Sequence, residues 1–161
     1  DTVQHDLDAR IIDIIARQQP VASDLRALVT ALRMSADLER MGDLAHHVAK
    51  VVRLRHPAGA VPDQILGLIE SMGVTAEKIA TKTGVVISTR DVALAAQVEK
   101  DDDEMDLLHR QLISALIAPT WEHGVETAID LTLLGRYYER YADHAVSVAR
   151  RVIFLVTGKF A

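Results

Sequence analysis

The chain has 161 residues, 49% of them apolar and 4% aromatic, with a net charge of −5 and no cysteine. The missing cysteines exclude disulfides, thiolate metal sites and cysteine nucleophiles, and the negative balance argues against a nucleic-acid binder, which carries a basic face. A chain of this length buries enough apolar surface to fold, and a composition led by Ala, Leu, Val and Ile suits a helical bundle.

Val3, Leu7, Ile11, Ile14 and Ile15 recur at spacings of three and four, along one face of a first helix. Pro20 ends it, because proline disfavours a helical residue before it and donates no hydrogen bond. Ser23 or Asp24 is expected to cap a second helix that runs to about Arg55. In that helix Ala27, Ala31, Met34, Leu38, Met41, Ala45, Val48 and Val52 form a heptad seam suited to shallow-angle packing. His56-Pro57-Ala58-Gly59 is the clearest linker. After Pro62 a third helix, ending near Ser88, carries the seam Ile65, Ile69, Met72, Ala76, Ile79, Thr83 and Val86. A fourth spans about Asp91 to Ile117, with Leu94, Val98, Met105, Leu108 and Leu112 inward, the acidic run Asp101 to Asp103 outside, and Pro119 closing it. The last, from about Gly124 to Val156, turns Leu131, Leu134, Tyr138, Tyr141, Ala145, Val148, Val152 and Leu155 inward and stops at Gly158. No segment alternates with the period of a strand, so the fold class is all-α. No apolar run approaches the roughly 18 residues of a membrane span and no secretory leader is visible. The expectation is a soluble, cytoplasmic chain, peripheral to a membrane at most.

The chain also repeats itself. Sliding Ala36–Val52 onto Arg136–Val152 without a gap matches seven of seventeen residues, including Glu39, Arg40 and Asp43 with Glu139, Arg140 and Asp143. Self-similarity at a fixed offset reports architecture before chemistry, and here it predicts two tandem, repeat-related helical bundles. Residues 1–57 form a first half-repeat of two helices, and residues 58–161 a second repeat of three. Shifting the Pro62–Ser88 helix back by one hundred residues puts its counterpart before Asp1, and the chain opens without a Met. It therefore reads as truncated before the first helix of its first bundle. The apolar faces of the first two helices should then share an open groove, covered by the missing helix or by another copy of the chain.

At 100° per residue, Glu39 and Asp43 lie well away from their helix's seam and face outward, as do Glu139 and Asp143. Carboxylates at i, i+4 repel by a few tenths of a kcal/mol unless a cation sits between them. Arg40 and Arg140 can serve as that cation. The alternative is a metal: Asp102 and Asp106 repeat the spacing on the preceding helix, so two antiparallel helices would bring four carboxylates together. Such an oxygen-rich set suits hard cations, namely oxidised iron, manganese, magnesium or calcium. In the first half Asp6 faces Glu39 and Asp43, but Thr2 stands where a match to Asp102 is required, with Asp1 as the available substitute. His47 lies one turn further along the stripe, as a ligand or the partner of one, whereas His46, His144 and Tyr138 read as structural.

The stretches Gln19-Pro-Val-Ala-Ser-Asp-Leu-Arg26, Ala36-Asp-Leu-Glu-Arg-Met-Gly-Asp-Leu-Ala45 and Glu139-Arg-Tyr-Ala-Asp-His-Ala145 together resemble the PhoU family of bacterial phosphate-signalling proteins. The resemblance implies a pair of symmetry-related three-helix bundles with Glu/Asp-x-x-x-Asp motifs that hold multinuclear metal clusters at the surface, iron first, with zinc, manganese, magnesium or calcium as alternatives. It also implies a negative regulator that links the ATPase of a phosphate importer to a phosphate-sensing histidine kinase, while a homodimer or other homo-oligomer is expected from the open groove. Carried over by position, the metal ligands are Glu39, Asp43, Asp102, Asp106, Glu139 and Asp143, with Asp6 matching half of a motif that Thr2 leaves incomplete. Asp24 and Arg26 match the family's Asp-Leu-Arg segment, with a cap and salt-bridge role as open as a functional one.

The residues themselves favour a non-enzymatic adaptor, since the chain has no nucleophile-base spacing, glycine-rich phosphate loop or cofactor fingerprint. Two rivals stand beside it. A ferritin-like di-metal enzyme would need Glu-x-x-His pairs pointing into the core. A kinase dimerisation module is suggested by Asp24-Leu25-Arg26 but lacks the phospho-acceptor histidine, since Ser23 precedes the Asp.

Overall fold

A computed structural model describes residues 2–159 and contains five α-helices, α1 (Thr2–Gln18), α2 (Ala22–Arg55), α3 (Asp63–Thr89), α4 (Val92–Leu116) and α5 (Gly124–Thr157). Strands are absent among the described residues, and none of the helices is long and apolar enough to cross a membrane. The periodicity read from the sequence therefore locates every helix to within a few residues. One start signal differs: α2 begins at Ala22 with Val21 as its N-cap and no side-chain cap, so Ser23 and Asp24 sit inside the first turn. There Asp24 can still favour the positive end of the helix dipole. At α4 a side-chain cap is present that the sequence reading did not single out: the Asp91 carboxylate accepts from the Ala93 and Leu94 amides at 2.8 and 3.0 Å, an arrangement worth about 1 kcal/mol.

Helices α3, α4 and α5 pack mutually into a closed three-helix bundle. All seven α3 seam residues are buried, facing Val98, Met105 and Leu112 of α4 and Leu131, Leu134 and Val152 of α5 within one apolar core. Helix α2 lies along α5, and among the described residues α1 packs against α2 alone of the helices.

The α2–α5 contact is antiparallel over its whole length. Arg26 lies over the Phe154 ring, Asp37 takes Arg151, His47 stacks on Tyr137, and Arg55 meets Asp130. Exchanging the halves by one hundred residues preserves this register, since the pair 47 and 137 becomes 147 and 37, beside the Asp37–His144 and Asp37–Arg151 contacts. Both helices have 34 residues. This register is what an approximate two-fold axis near Met41 and Ala142 produces.

Three expectations about facing fail, one of them at Glu139, whose side chain is 15% exposed where an outward position is expected. The heptad seam of α2 is only partly inside: Met41 is 5% exposed, but Leu38 is 42% and Val52 53% exposed. The face that α2 turns to α5 mixes apolar contacts of Met34, Met41, Val48 and Val51 with buried or paired polar residues, Thr30, Asp37 and Arg55, so ion pairs as well as aliphatic packing join the two helices. Leu38 is left beside a groove of about 390 Å³ between α1 and α2, lined by Val3, Leu7, Met34 and Glu39 and closed at one end by Ile87 of α3.

The remaining failure is the acidic run. Asp103 is exposed as expected, but Asp101 is buried and Asp102 half-buried, because α3 approaches one side of α4 and α5 the other.

Candidate functional site

The four carboxylates of the second half come from facing turns of two packed helices. Asp102 and Asp106 extend from α4, and Glu139 and Asp143 from α5. Asp102 sits at the centre of this patch. Burial, and then the negative charges of Asp106, Asp143, Asp103 and Glu139, push its carboxyl up to about pKa 6. Its Oδ1 is buried without a hydrogen-bond partner, which carries a desolvation cost that pairing would remove.

Asp101, one residue earlier, has the opposite fate. Burial alone would raise its pKa, but Lys82 and Lys78 of α3, at 2.5 and 3.0 Å, hold it below the ordinary carboxylate range. Two neighbouring aspartates thus face a cationic and an anionic helix, and only Asp101 is neutralised.

The rest of the patch is partly held by arginines of its own helices. Arg136 donates to both oxygens of Glu139 at 2.6 Å, and Arg110 approaches Asp106 at 3.8 Å. Arg136, not the Arg140 anticipated from the sequence, is therefore the counter-ion of Glu139. Among the described residues no three His, Cys, Asp or Glu side chains converge tightly enough to hold an ion as they stand. The donor set nevertheless fits a hard cation: four carboxylates on two rigid helices, with an unpaired buried oxygen at their centre.

The first-half set does not fit in the same way. Asp6 is exposed on α1 with no ion-pair partner among the described residues, and Asp43 is committed to Arg40 at 3.2 Å. Glu39 borders the apolar α1–α2 groove. Thr2 supplies no charge, and Asp1 lies outside the described residues. His47 stacks on Tyr137, with ring centroids 5.1 Å apart.

Sequence reasoning missed the ionic cross-links of the α2–α5 contact. Asp37, with a side chain 12% exposed, accepts from Arg151 at 2.7 Å and pairs with His144 Nδ1 at 3.1 Å. Arg55 donates to Asp130 and Glu126, both at 2.5 Å. A signal was present: Asp37 stands seven residues after Thr30 and four before Met41, at core-facing spacing.

The PhoU domain model matches residues 1–52 and 69–152, most of the chain. The chain belongs to the PhoU domain family. Over 147 residues it is 51% identical to the phosphate-specific transport system accessory protein PhoU homolog 2 of Mycobacterium tuberculosis, covering 91% of this chain and 69% of that protein. It is 33% identical to the PhoU homolog of Deinococcus radiodurans, covering 98% of the chain and 74% of the relative. Two crystal structures share the fold. PhoU from Pseudomonas aeruginosa aligns with a TM-score of 0.84 at 26% identity, over 98% of this chain and 76% of that one. The phosphate transport system regulatory protein PhoU from Streptococcus pneumoniae aligns with a TM-score of 0.83 at 21% identity, over 98% and 74%. The curated relatives are named as accessory proteins of a phosphate-specific transport system.

Asp102 also gives a measurable consequence. Because its pKa is higher folded than unfolded, the folded chain binds that proton more tightly, and stability falls as pH rises from about 4 through about 6. A pKa difference of this size is worth about 3 kcal/mol unscreened, and water at the patch reduces it to about 1–2 kcal/mol. Asp102→Asn is therefore expected to stabilise the metal-free chain by about 1–2 kcal/mol at pH 7 and to change little below pH 4. Urea titrations at pH 4 and 7 measure both values. A variant no more stable than the parent at pH 7 contradicts the electrostatic strain described here.

Proposed function

We propose that this chain is a PhoU-type negative regulator of phosphate uptake and signalling. It acts as a non-catalytic adaptor between the ATPase of a phosphate importer and a phosphate-sensing histidine kinase. The observation that carries this reading is the 51% identity, over 91% of the chain, to an accessory protein of a phosphate-specific transport system. The fold is compatible with it, since five helices joined by short connections present long side faces for docking.

As part of the same reading, Asp102, Asp106, Glu139 and Asp143 hold a hard metal cation, iron first. Bound there, the cation would supply positive charge to a patch whose central carboxylate is otherwise strained, and it would compete with protons for Asp102. Arg136 and Arg110 release Glu139 and Asp106 on binding, so occupancy changes the charge this face shows to a partner. Glu39, Asp43 and Asp6 form the weaker counterpart, because one position of that motif is Thr2.

The adaptor role is tested with purified proteins. The chain is titrated against the importer's ATPase subunit and, separately, the cytoplasmic part of the sensor kinase, with binding read by interferometry. Saturable binding to both is expected. Binding to neither contradicts the role.

A further inference from the structure

A cavity of about 170 Å³ opens between α2 and α5, and it shares no residue with the acidic patch. Arg33 reaches it from α2, Arg150 and Arg151 from α5, with Ser147 beside them and Val29 and Phe154 supplying apolar lining. Three guanidinium groups on one small cavity are unexpected in a chain of net charge −5.

The local charge does not cancel. Arg150 is paired with Glu99 and Arg151 with Asp37, whereas Arg33 has no acidic partner among the described residues. One positive charge is left over. Donors are also left over: Arg151 uses its Nε on Asp37, and a guanidinium carries five N–H groups. The Ser147 side chain adds a hydroxyl, and the apolar wall lowers the local dielectric, which strengthens any charge-assisted bond formed there.

The repeat shows that this basicity is not a requirement of the architecture. Shifted by one hundred residues, Arg33 becomes Leu133, Arg151 becomes Val51 and Phe154 becomes Leu54, and only Arg150 keeps a cation, as Lys50. If three guanidinium groups were needed simply to join α2 to α5, both ends of this quasi-symmetric contact would carry three. The opposite end is closed by a single guanidinium, Arg55, on Asp130 and Glu126, a set with one acid in excess.

We infer that this cavity binds a small tetrahedral oxyanion of the phosphate class, with Arg33 as its uncommitted counter-charge and Arg150, Arg151 and Ser147 as further donors. The ligand is either free inorganic phosphate or the phosphate group of a small molecule whose apolar part uses Val29 and Phe154. The site does not depend on the regulatory role proposed above, so binding at the cavity and binding to the importer or kinase can fail separately.

Calorimetric titration of the full chain with inorganic phosphate and with phenyl phosphate, at matched ionic strength, tests it. Saturable binding is expected in the parent. Arg33→Ala, at an exposed position with no ion pair to break, should raise the Kd for both ligands roughly tenfold or more, the loss of one charge-assisted contact. Arg53→Ala removes the same charge from an exposed α2 position outside the cavity and should leave both within about twofold. Tighter binding of phenyl phosphate than of inorganic phosphate identifies an organic phosphate as the ligand, and equal affinities identify the free ion. No saturable binding in the parent, or equal weakening by Arg33→Ala and Arg53→Ala, overturns the site.

Discussion

Leu112→Ala is expected to lower stability by about 3 kcal/mol, and Gly135→Ala by about 1 kcal/mol, with the double variant losing less than the two together. Leu112 is fully buried at the α4–α5 contact, so truncation removes both its transfer energy and the atoms that fill the space. A Cβ at Gly135 would lie 2.6 Å from Leu112 Cδ2 and 3.1 Å from His109 Cδ2. His109 is half-buried and can turn aside, but Leu112 is enclosed and must push on its neighbours. Against that overpacking, Ala gains about 1 kcal/mol of helix propensity over Gly, which keeps the net cost of Gly135→Ala small. In the double variant the new Cβ enters the space Leu112 has left. The coupling should recover about 1 kcal/mol. Urea unfolding of the parent, both single variants and the double variant measures the cycle, and strict additivity would show that the α4–α5 spacing does not depend on this contact.

Asp37→Ala is expected to cost about 2–3 kcal/mol, a large effect for one polar residue on α2. Its carboxylate serves Arg151 and His144 from a side chain that is 12% exposed, and Arg151 is itself 30% exposed. Removing one partner of a buried pair costs about 3–5 kcal/mol because the other charge is stranded, and the remaining water contact of Arg151 reduces that. Asp37→Asn keeps the acceptor oxygen and loses the charge, so it should fall between parent and Ala. Thermal melts at low and high salt separate this from a surface pair, whose contribution salt would screen. A loss below about 0.5 kcal/mol in Asp37→Ala would place Asp37 among ordinary surface residues.

Helix positions were legible because proline, glycine and aliphatic spacing act locally. On α3 every seam residue is buried, since that helix has neighbours along one face and solvent on the other. On α2 the same reasoning misplaces Leu38 and Val52, because α2 is flanked by α1 on one side and α5 on another, and the face toward α5 combines Met41 and its apolar neighbours with the charge pairs of Asp37 and Arg55. Heptad spacing finds apolar stripes and cannot show that Asp37 and Arg55 each meet an ion from the other repeat.

The nearness of the second-half carboxylates was legible in the sequence, and their electrostatics were not. The repeat and the i, i+4 spacing brought Asp102, Asp106, Glu139 and Asp143 together on paper, and α4 and α5 do pack so that these charges act on one another. What spacing could not give is the division between Asp101 and Asp102. That depends on Lys78 and Lys82, which arrive from a third helix.

The measurement closest to the central proposal is elemental analysis of the chain purified without chelator, beside an Asp106→Asn/Asp143→Asn double variant. The parent should carry a transition metal, iron first, and the double variant should lose most of it. Removing two of four ligand carboxylates halves the negative charge offered to a hard cation. Equal metal content in parent and double variant, or a parent that takes up no iron or manganese after reconstitution, would contradict a metal centre built on Asp102, Asp106, Glu139 and Asp143.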